Sequence, residues 1–290
     1  MKHNHPMHFT EETAKHLAEF QQEEKEDKTV IPEPTKPIPV VFSAPLPSPH
    51  TDAECHVLCE SRTDVGLVRK INQDAVIVDP PLFGVADGMG GHQGGEIAST
   101  MCRDELIRRL RDKTVDPQEL ETSVKLANRR IHIRAEEDPS LNGMGTTLTC
   151  AWFGEKQVHI AHVGDSRCYL YRNGTLQQMT DDHSMVMEMV RAGVLTKEQA
   201  MVHPMRNVIT RAVGSDRSVQ VDILTKDRQQ GDIWLFCSDG LHGQVGEEKM
   251  TEFLQLPLAQ AADALLEAAM DAGAPDNVSL VLVLDKGADA

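Results

Sequence analysis

Apolar residues along this chain come in short runs separated by turn signals, and from residue 54 onward they alternate between two periods. Runs at 57–61, 75–78 and 82–86 read as strands. Residues 96–111 change to a helical spacing, with Ile97, Met101, Leu106 and Leu110 on one face. Asp116-Pro117-Gln118-Glu119 is a helix start, combining an N-cap, a proline at the first position and a carboxylate at the third. The helix it opens carries Leu120, Val124, Ala127 and Ile131 and runs to about Glu136. Strands follow at 146–153, 157–163 and 167–172, and Asn173-Gly174 turns the chain into another at 175–178. A helical insert comes next, marked by the capping box Thr196-Lys197-Glu198-Gln199. Strands at 219–224 and 233–237, an alanine-rich helix at 260–270 and a strand at 278–284 complete the order. This order predicts an α+β fold with two mainly antiparallel sheets packed face to face and helices on both outer faces.

The first 54 residues follow neither period. Residues 10–28 fit one short polar helix, and seven prolines between Pro32 and Pro49 enforce extended backbone. The expected organisation is an acidic, proline-rich extension over 1–54 and one catalytic domain over 55–286. The extension is read as a tether, with partner docking as the alternative. His3, His5 and His8 near its start would bind metal only adventitiously.

Composition removes several classes. No apolar run approaches the roughly 18 residues of a membrane span, and residues 1–10 lack the apolar stretch of a signal peptide. The expectation is therefore a cytoplasmic protein with no membrane partner; a monomer is taken as the default. A formal net charge of −16 argues against a nucleic-acid partner. The six cysteines show no paired CxxC spacing, and Cys150, Cys168 and Cys237 sit in strand-like runs, so they read as reduced core residues.

The chemistry resides in five acidic segments. They are Asn72-Gln73-Asp74, Val85-Ala86-Asp87-Gly88-Met89-Gly90-Gly91-His92, Gly164-Asp165-Ser166-Arg167, Cys237-Ser238-Asp239-Gly240 and Pro275-Asp276-Asn277. An aspartate at the end of a buried strand is costly unless a positive charge neutralises it. Convergence on hard divalent cations resolves this, and an oxygen-only set without paired His or Cys favours Mg2+ or Mn2+ over zinc. A two-cation site, with ions about 3.5–4 Å apart, needs a shared carboxylate. Asp87 fits that role, with glycines around it and the Gly88 carbonyl as a further ligand; Asp74, Asp239 and Asp276 supply terminal carboxylates. A water between two such ions becomes a nucleophile near neutral pH. Arg69, five residues before Asp74, offers a planar fork for a phosphate. Each segment alone reads as a turn; the conjunction indicates phosphate-ester hydrolysis.

This ordered set resembles the PPM family, the metal-dependent type 2C serine/threonine protein phosphatases, and is closest to bacterial members. The resemblance rests on the stretch from Thr63-Asp64-Val65-Gly66 through Arg69 to Asp74, on Ala86-Asp87-Gly88-Met89-Gly90-Gly91-His92, and on Gly145-Thr146-Thr147. It rests further on His162-Val163-Gly164-Asp165-Ser166-Arg167, Ser238-Asp239-Gly240-Leu241 and Asp276-Asn277. It implies a four-layer α-β-β-α sandwich. It also implies that Asp87 bridges two cations, that Asp239 and Asp276 complete the first site, and that Asp74 with the Gly88 carbonyl completes the second. Asp165 with Asp239 would hold a third, weaker ion, and Arg69 would bind the substrate phosphate. His92 would give a proton to the leaving group, or else brace its loop. The insert at 182–214 corresponds to a flap, where His203 and Arg206 are candidates for substrate contact. Asp64 would order the turn before Gly66. The implied partners are phosphorylated proteins, among them a serine/threonine kinase and its targets. A non-catalytic binding module and a metal-dependent phosphodiesterase are the alternatives; the intact aspartates weigh against the first and the acidic charge against the second.

Overall fold

The computed structural model describes residues 56–90 and 94–287. The extension, Cys55 and His92 lie outside these residues. Eleven strands are assigned among them: β1 (Val57–Asp64), β2 (Asp74–Asp79), β3 (Leu82–Met89), β4 (Gly145–Thr146), β5 (Leu148–Phe153), β6 (Gln157–Val163), β7 (Arg167–Arg172), β8 (Thr175–Gln178), β9 (Asp222–Asp227), β10 (Ile233–Cys237) and β11 (Val278–Asp285). The helices are α1 (Gly94–Leu110), α2 (Pro117–Glu137), α3 (Met185–Arg191), α4 (Lys197–Met201), α5 (Asp239–His242), α6 (Glu247–Phe253) and α7 (Leu258–Asp271).

One sheet has the order β1-β11-β10-β7-β8 and the other β2-β3-β5-β6-β9, with β4 paired to β3. Every ladder is antiparallel. The central strands are buried on both faces, and the two-residue period divides their side chains between two cores. Along β3, Phe83 and Val85 enter the layer between the sheets, whereas Leu82 and Ala86 face the α1–α2 side. Along β10, Trp234 and Phe236 enter the same central layer, whereas Ile233, Leu235 and Cys237 pack with Leu265 of α7. Phe153 sits edge-on to both Phe83 and Trp234, at centroid distances of 5.3 and 6.0 Å, the geometry that aromatic quadrupoles favour. The architecture is thus the four-layer α-β-β-α sandwich.

Asp116 caps α2 as expected, its carboxylate accepting the Glu119 N–H at 2.7 Å. Asn173 and Gly174 both take positive φ, 53° and 78°, as a tight hairpin requires. Cys102, Cys150, Cys168 and Cys237 are buried free thiols.

Two boundaries and one helix face differ from the sequence reading. The strand at 146–153 is broken at Thr147, which leaves the ladder to bond Asp87 (below). The strand at 219–224 lies instead at Asp222–Asp227. Val219 and Val221 pack against the α1–α2 core without joining a ladder, while polar Thr225, Lys226 and Asp227 pair with β6 at the sheet edge. Ile97 and Met101 are only half-buried, and Ala98 and Cys102 take the inward face of α1.

Candidate active site

Four strand ends and one turn bring the predicted aspartates to one end of the sandwich. Asp74 opens β2 and is the direct cross-strand partner of Asp87 on β3, so the two side chains share one face of the ladder. Asp239 follows β10 as the first residue of α5, and Asp276 precedes β11, the neighbour of β10. Ser238 joins these ends: its N–H donates to Ser279 O (3.0 Å) and its Oγ to Asp74 Oδ2 (2.8 Å). Asp165 lies in the turn entering β7, which pairs with β10.

Asp87 is held through its backbone. Its carbonyl accepts from Thr147 N (2.8 Å) and Thr146 Oγ1 (2.9 Å), and its N–H donates to Thr147 Oγ1 (3.0 Å). The side chain is turned to the other carboxyls, sharing hydrogen bonds with Asp74 and Asp239. Gly88 must be glycine: a Cβ there would fall 2.1 Å from Gly95 O and 2.5 Å from Gln73 O, because the start of α1 packs directly on β3.

Crowding of negative charge on half-buried carboxyls dominates the electrostatics. Burial, then the charges of Asp74, Asp239, Asp165 and Asp276, push the Asp87 carboxyl well above the usual range. Burial and Asp239 do the same for Asp165. Asp239 rises to about 7, by burial and then by Asp276 and Asp74. Asp74 rises to about 6, mainly by burial, even though Ser279 and Ser238 pull it down. Asp74 Oδ1 and Asp239 Oδ1 are buried without a hydrogen-bond partner. Among the described residues, no group of three or more His, Cys, Asp or Glu side chains stands arranged to hold a metal ion; the carboxylates stand as mutually repelling neighbours. An all-oxygen donor set with two unsatisfied buried oxygens fits hard divalent cations, which would remove both the repulsion and the unmet bonding.

Arg69 reaches this cluster at Asp276, not at Asp74: Nη2 donates to Asp276 Oδ2 at 2.8 Å, and the side chain keeps 54% exposure. The guanidinium also feels Asp239 and Asp87. Asp64 Oδ1 accepts the Gly66 N–H (2.8 Å), so it does order that turn. His203 directs Nδ1 to the Met205 N–H (3.1 Å), and Arg206 is exposed, its backbone N–H on His203 O (3.1 Å). Among the described residues no contact joins either to the carboxylates.

Several residues unassigned by sequence support the cluster. His242, three residues after Asp239 on the same helical turn, donates Nε2–H to Asp165 O (3.0 Å); burial holds its pKa down to about 3, so it stays neutral. His183 Nδ1 accepts the Gly164 N–H (3.0 Å) and Nε2 donates to Asp222 (3.1 Å). Beside it, His162 bonds Thr149 Oγ1 (2.9 Å) and Asp181 O (3.1 Å).

Burial, and then His183, lower the His162 pKa to about 4. The unfolded chain, with an imidazole pKa of about 6.5, binds the extra proton first. This contribution to stability is therefore complete above about pH 6.5 and is lost as pH falls towards 4, at about 1.4 kcal/mol per pH unit. Urea unfolding between those limits should show His162→Gln losing stability less steeply on acidification than the wild type. Parallel slopes would mean that the imidazole protonates in the folded protein.

Comparison with known proteins agrees with this geometry. The family model for protein phosphatase 2C matches residues 69–277. The serine/threonine phosphatase stp of Listeria welshimeri is 41% identical over 248 residues, covering 80% of this chain and 98% of that protein. The crystal structure of the Mycobacterium tuberculosis serine/threonine phosphatase PstP/Ppp superposes with a TM-score of 0.76 at 38% identity, covering 79% of this chain and 99% of that one. The catalytic domain of PstP in complex with two manganese ions gives a TM-score of 0.73 at 37% identity, covering 79% and 97%. The sandwich and its aspartate cluster define a metal-dependent phosphatase. The chain belongs to the protein phosphatase 2C family, alongside bacterial members.

Proposed function

We propose that this enzyme removes phosphate from phosphoserine and phosphothreonine in proteins, by a hydroxide held between two divalent cations, and that it opposes a serine/threonine kinase. The observation that carries the reading is the cluster of half-buried aspartates, two of which have a buried oxygen without a partner, bordered by a half-exposed arginine. Bound Mn2+ or Mg2+ would supply Lewis acidity and a water that ionises near neutral pH. Asp87 would be shared by both ions, Asp239 and Asp276 would complete one site, and Asp74 with the Gly88 carbonyl the other. Asp165 with Asp239 would take a third, weaker ion. The pairing of a PstP catalytic domain with two manganese ions supports the stoichiometry.

Arg69 has one face held by Asp276 and the other open to solvent, an arrangement suited to clamping phosphate oxygens. His92 is proposed as the donor to the leaving alcohol, and His203 and Arg206 as flap contacts to substrate. The catalytic domain would span 55–286, with the 1–54 extension as a tether or a dock for the partner, in a cytoplasmic monomer.

Hydrolysis of p-nitrophenyl phosphate and a phosphothreonine peptide with manganese, magnesium or EDTA tests the reading. Metal-dependent monoester cleavage is expected; cleavage of a diester alone would overturn it. Arg69→Ala should raise KM for the peptide about tenfold or more with a smaller change in kcat, since it removes phosphate binding more than metal chemistry. An unchanged KM would place Arg69 outside the phosphate site.

A further inference from the structure

The loop between β1 and β2, residues 65–73, carries Arg69 at its crest and leads directly into Asp74. One side chain closes it. Asn277 is 5% exposed, and its Nδ2 donates to Val65 O (2.9 Å) at the start of the loop and to Ile71 O (3.0 Å) near its end. Its Oδ1 accepts the N–H of Gln73 (2.8 Å), the residue before Asp74. Both amide protons and the amide oxygen are therefore spent on the backbone of one loop, which also fixes the orientation of the amide.

The neighbouring contacts make the closure tight. Leu67 N–H donates to Ala274 O at 2.9 Å. Gly66 takes φ +76°, and a Cβ there would lie 2.2 Å from Asp276 O, so the loop lies directly on the 274–277 segment. Asn277 is the chain neighbour of Asp276, the carboxylate that holds Arg69. Gln73 O in turn accepts from Gly88 N (3.1 Å) and Ser99 Oγ (2.6 Å), tying the loop's exit to β3 and α1.

We infer that Asn277 is a positioning residue: it sets the distance between the phosphate-binding guanidinium of Arg69 and the carboxylate cluster by stapling both ends of the loop to the residue beside Asp276. Without the staple, Ile71 O and Val65 O lose their common donor, and Arg69 keeps only its single exposed contact to Asp276. The carboxylates on strands β2 and β3 and after β10 keep their own ladders, and Asp276 keeps the Asn277 backbone N–H (2.9 Å). This inference rests on the phosphatase reading for its catalytic part and on geometry alone for its structural part.

The test is a double-mutant cycle in the full-length protein with manganese, using Asn277→Ala, Arg69→Ala and both together. Asn277→Ala should raise KM for a phosphothreonine peptide by about tenfold, with kcat reduced less, and should add little in the Arg69→Ala background. Equal KM effects in both backgrounds, or a fall in kcat with KM unchanged, would overturn the inference. Amide hydrogen exchange, independent of turnover, should show Gln73 and Leu67 losing protection in Asn277→Ala while β3 and β10 keep theirs; unchanged protection would also overturn it. Asn277→Asp, of the same shape, keeps the acceptor for Gln73 but loses both donations, and should reproduce the KM effect if the alanine variant folds poorly. A wild-type protein that hydrolyses no phosphopeptide would defeat the phosphatase reading, and the exchange experiment would still decide the staple.

Discussion

Asp87→Ala should reduce manganese-dependent turnover by at least about a thousandfold, roughly 4 kcal/mol of transition-state stabilisation, while leaving the fold intact. The two effects separate because of how Asp87 is held. Thr146 and Thr147 bond its backbone, and those bonds survive in alanine. The carboxylate contributes charge at a half-buried point already crowded by Asp74, Asp239, Asp165 and Asp276. Removing it relieves repulsion in the absence of cations, so the variant in EDTA should unfold at the same or higher urea concentration than wild type. Calorimetric titration should show manganese affinity falling with activity, because the ligand shared by both proposed sites is gone. Activity within about tenfold of wild type would contradict the shared-ligand role.

The parts of this result that could be read in the sequence are those set by local chemistry. Strands β3, β5 and β10 are legible because their runs are apolar on both faces. The start of α2 is legible because Asp116 and Pro117 act on their immediate neighbours. The aspartates are legible because each stands beside a turn-forming or polar residue, most of them next to an apolar run. What was illegible depends on distant backbone. Thr147 interrupts its strand to bond a residue 60 positions away, and no pattern within 146–153 encodes that. Asp239–His242 is a single helical turn, too short for periodicity, so His242 gave no sign of reaching the Asp165 carbonyl 77 residues earlier. Arg69 could be placed near the site by spacing, but its partner, 207 residues away, could not. The displaced edge of β9 arises because Val219 and Val221 carry strand-like character in a segment that packs without pairing.

Asp182→Ala should strongly destabilise the fold without removing any proposed metal ligand. Asp182 and Arg167 form a forked pair, with Arg167 Nε donating to Oδ1 at 2.9 Å and Nη2 to Oδ2 at 2.7 Å. The carboxylate is only 7% exposed and the guanidinium 22%. Burial alone would raise the Asp182 pKa, but the bonds and charge of Arg167 hold it below the ordinary value, so the pair is ionised. Truncation leaves Arg167 with Tyr169 Oη (3.0 Å) as its remaining described side-chain hydrogen-bond partner, while the Gln178 amide loses Oδ1 (3.1 Å) but keeps Thr180 O (2.7 Å). A mostly buried cation without its counter-ion costs about 3–5 kcal/mol, a large share of the about 5–15 kcal/mol that holds a typical domain folded. Urea unfolding in EDTA measures this without a contribution from bound metal. The double variant Arg167→Met with Asp182→Leu should recover much of the loss, because the penalty comes from the isolated charge and not from an intrinsic gain of the pair. Arg167 begins β7 two residues after Asp165, and Asp182 opens the insert, so the single variant should also loosen the insert where it joins the sheet. A loss below about 1 kcal/mol would mean that water reaches the guanidinium and that the pair behaves as a surface one.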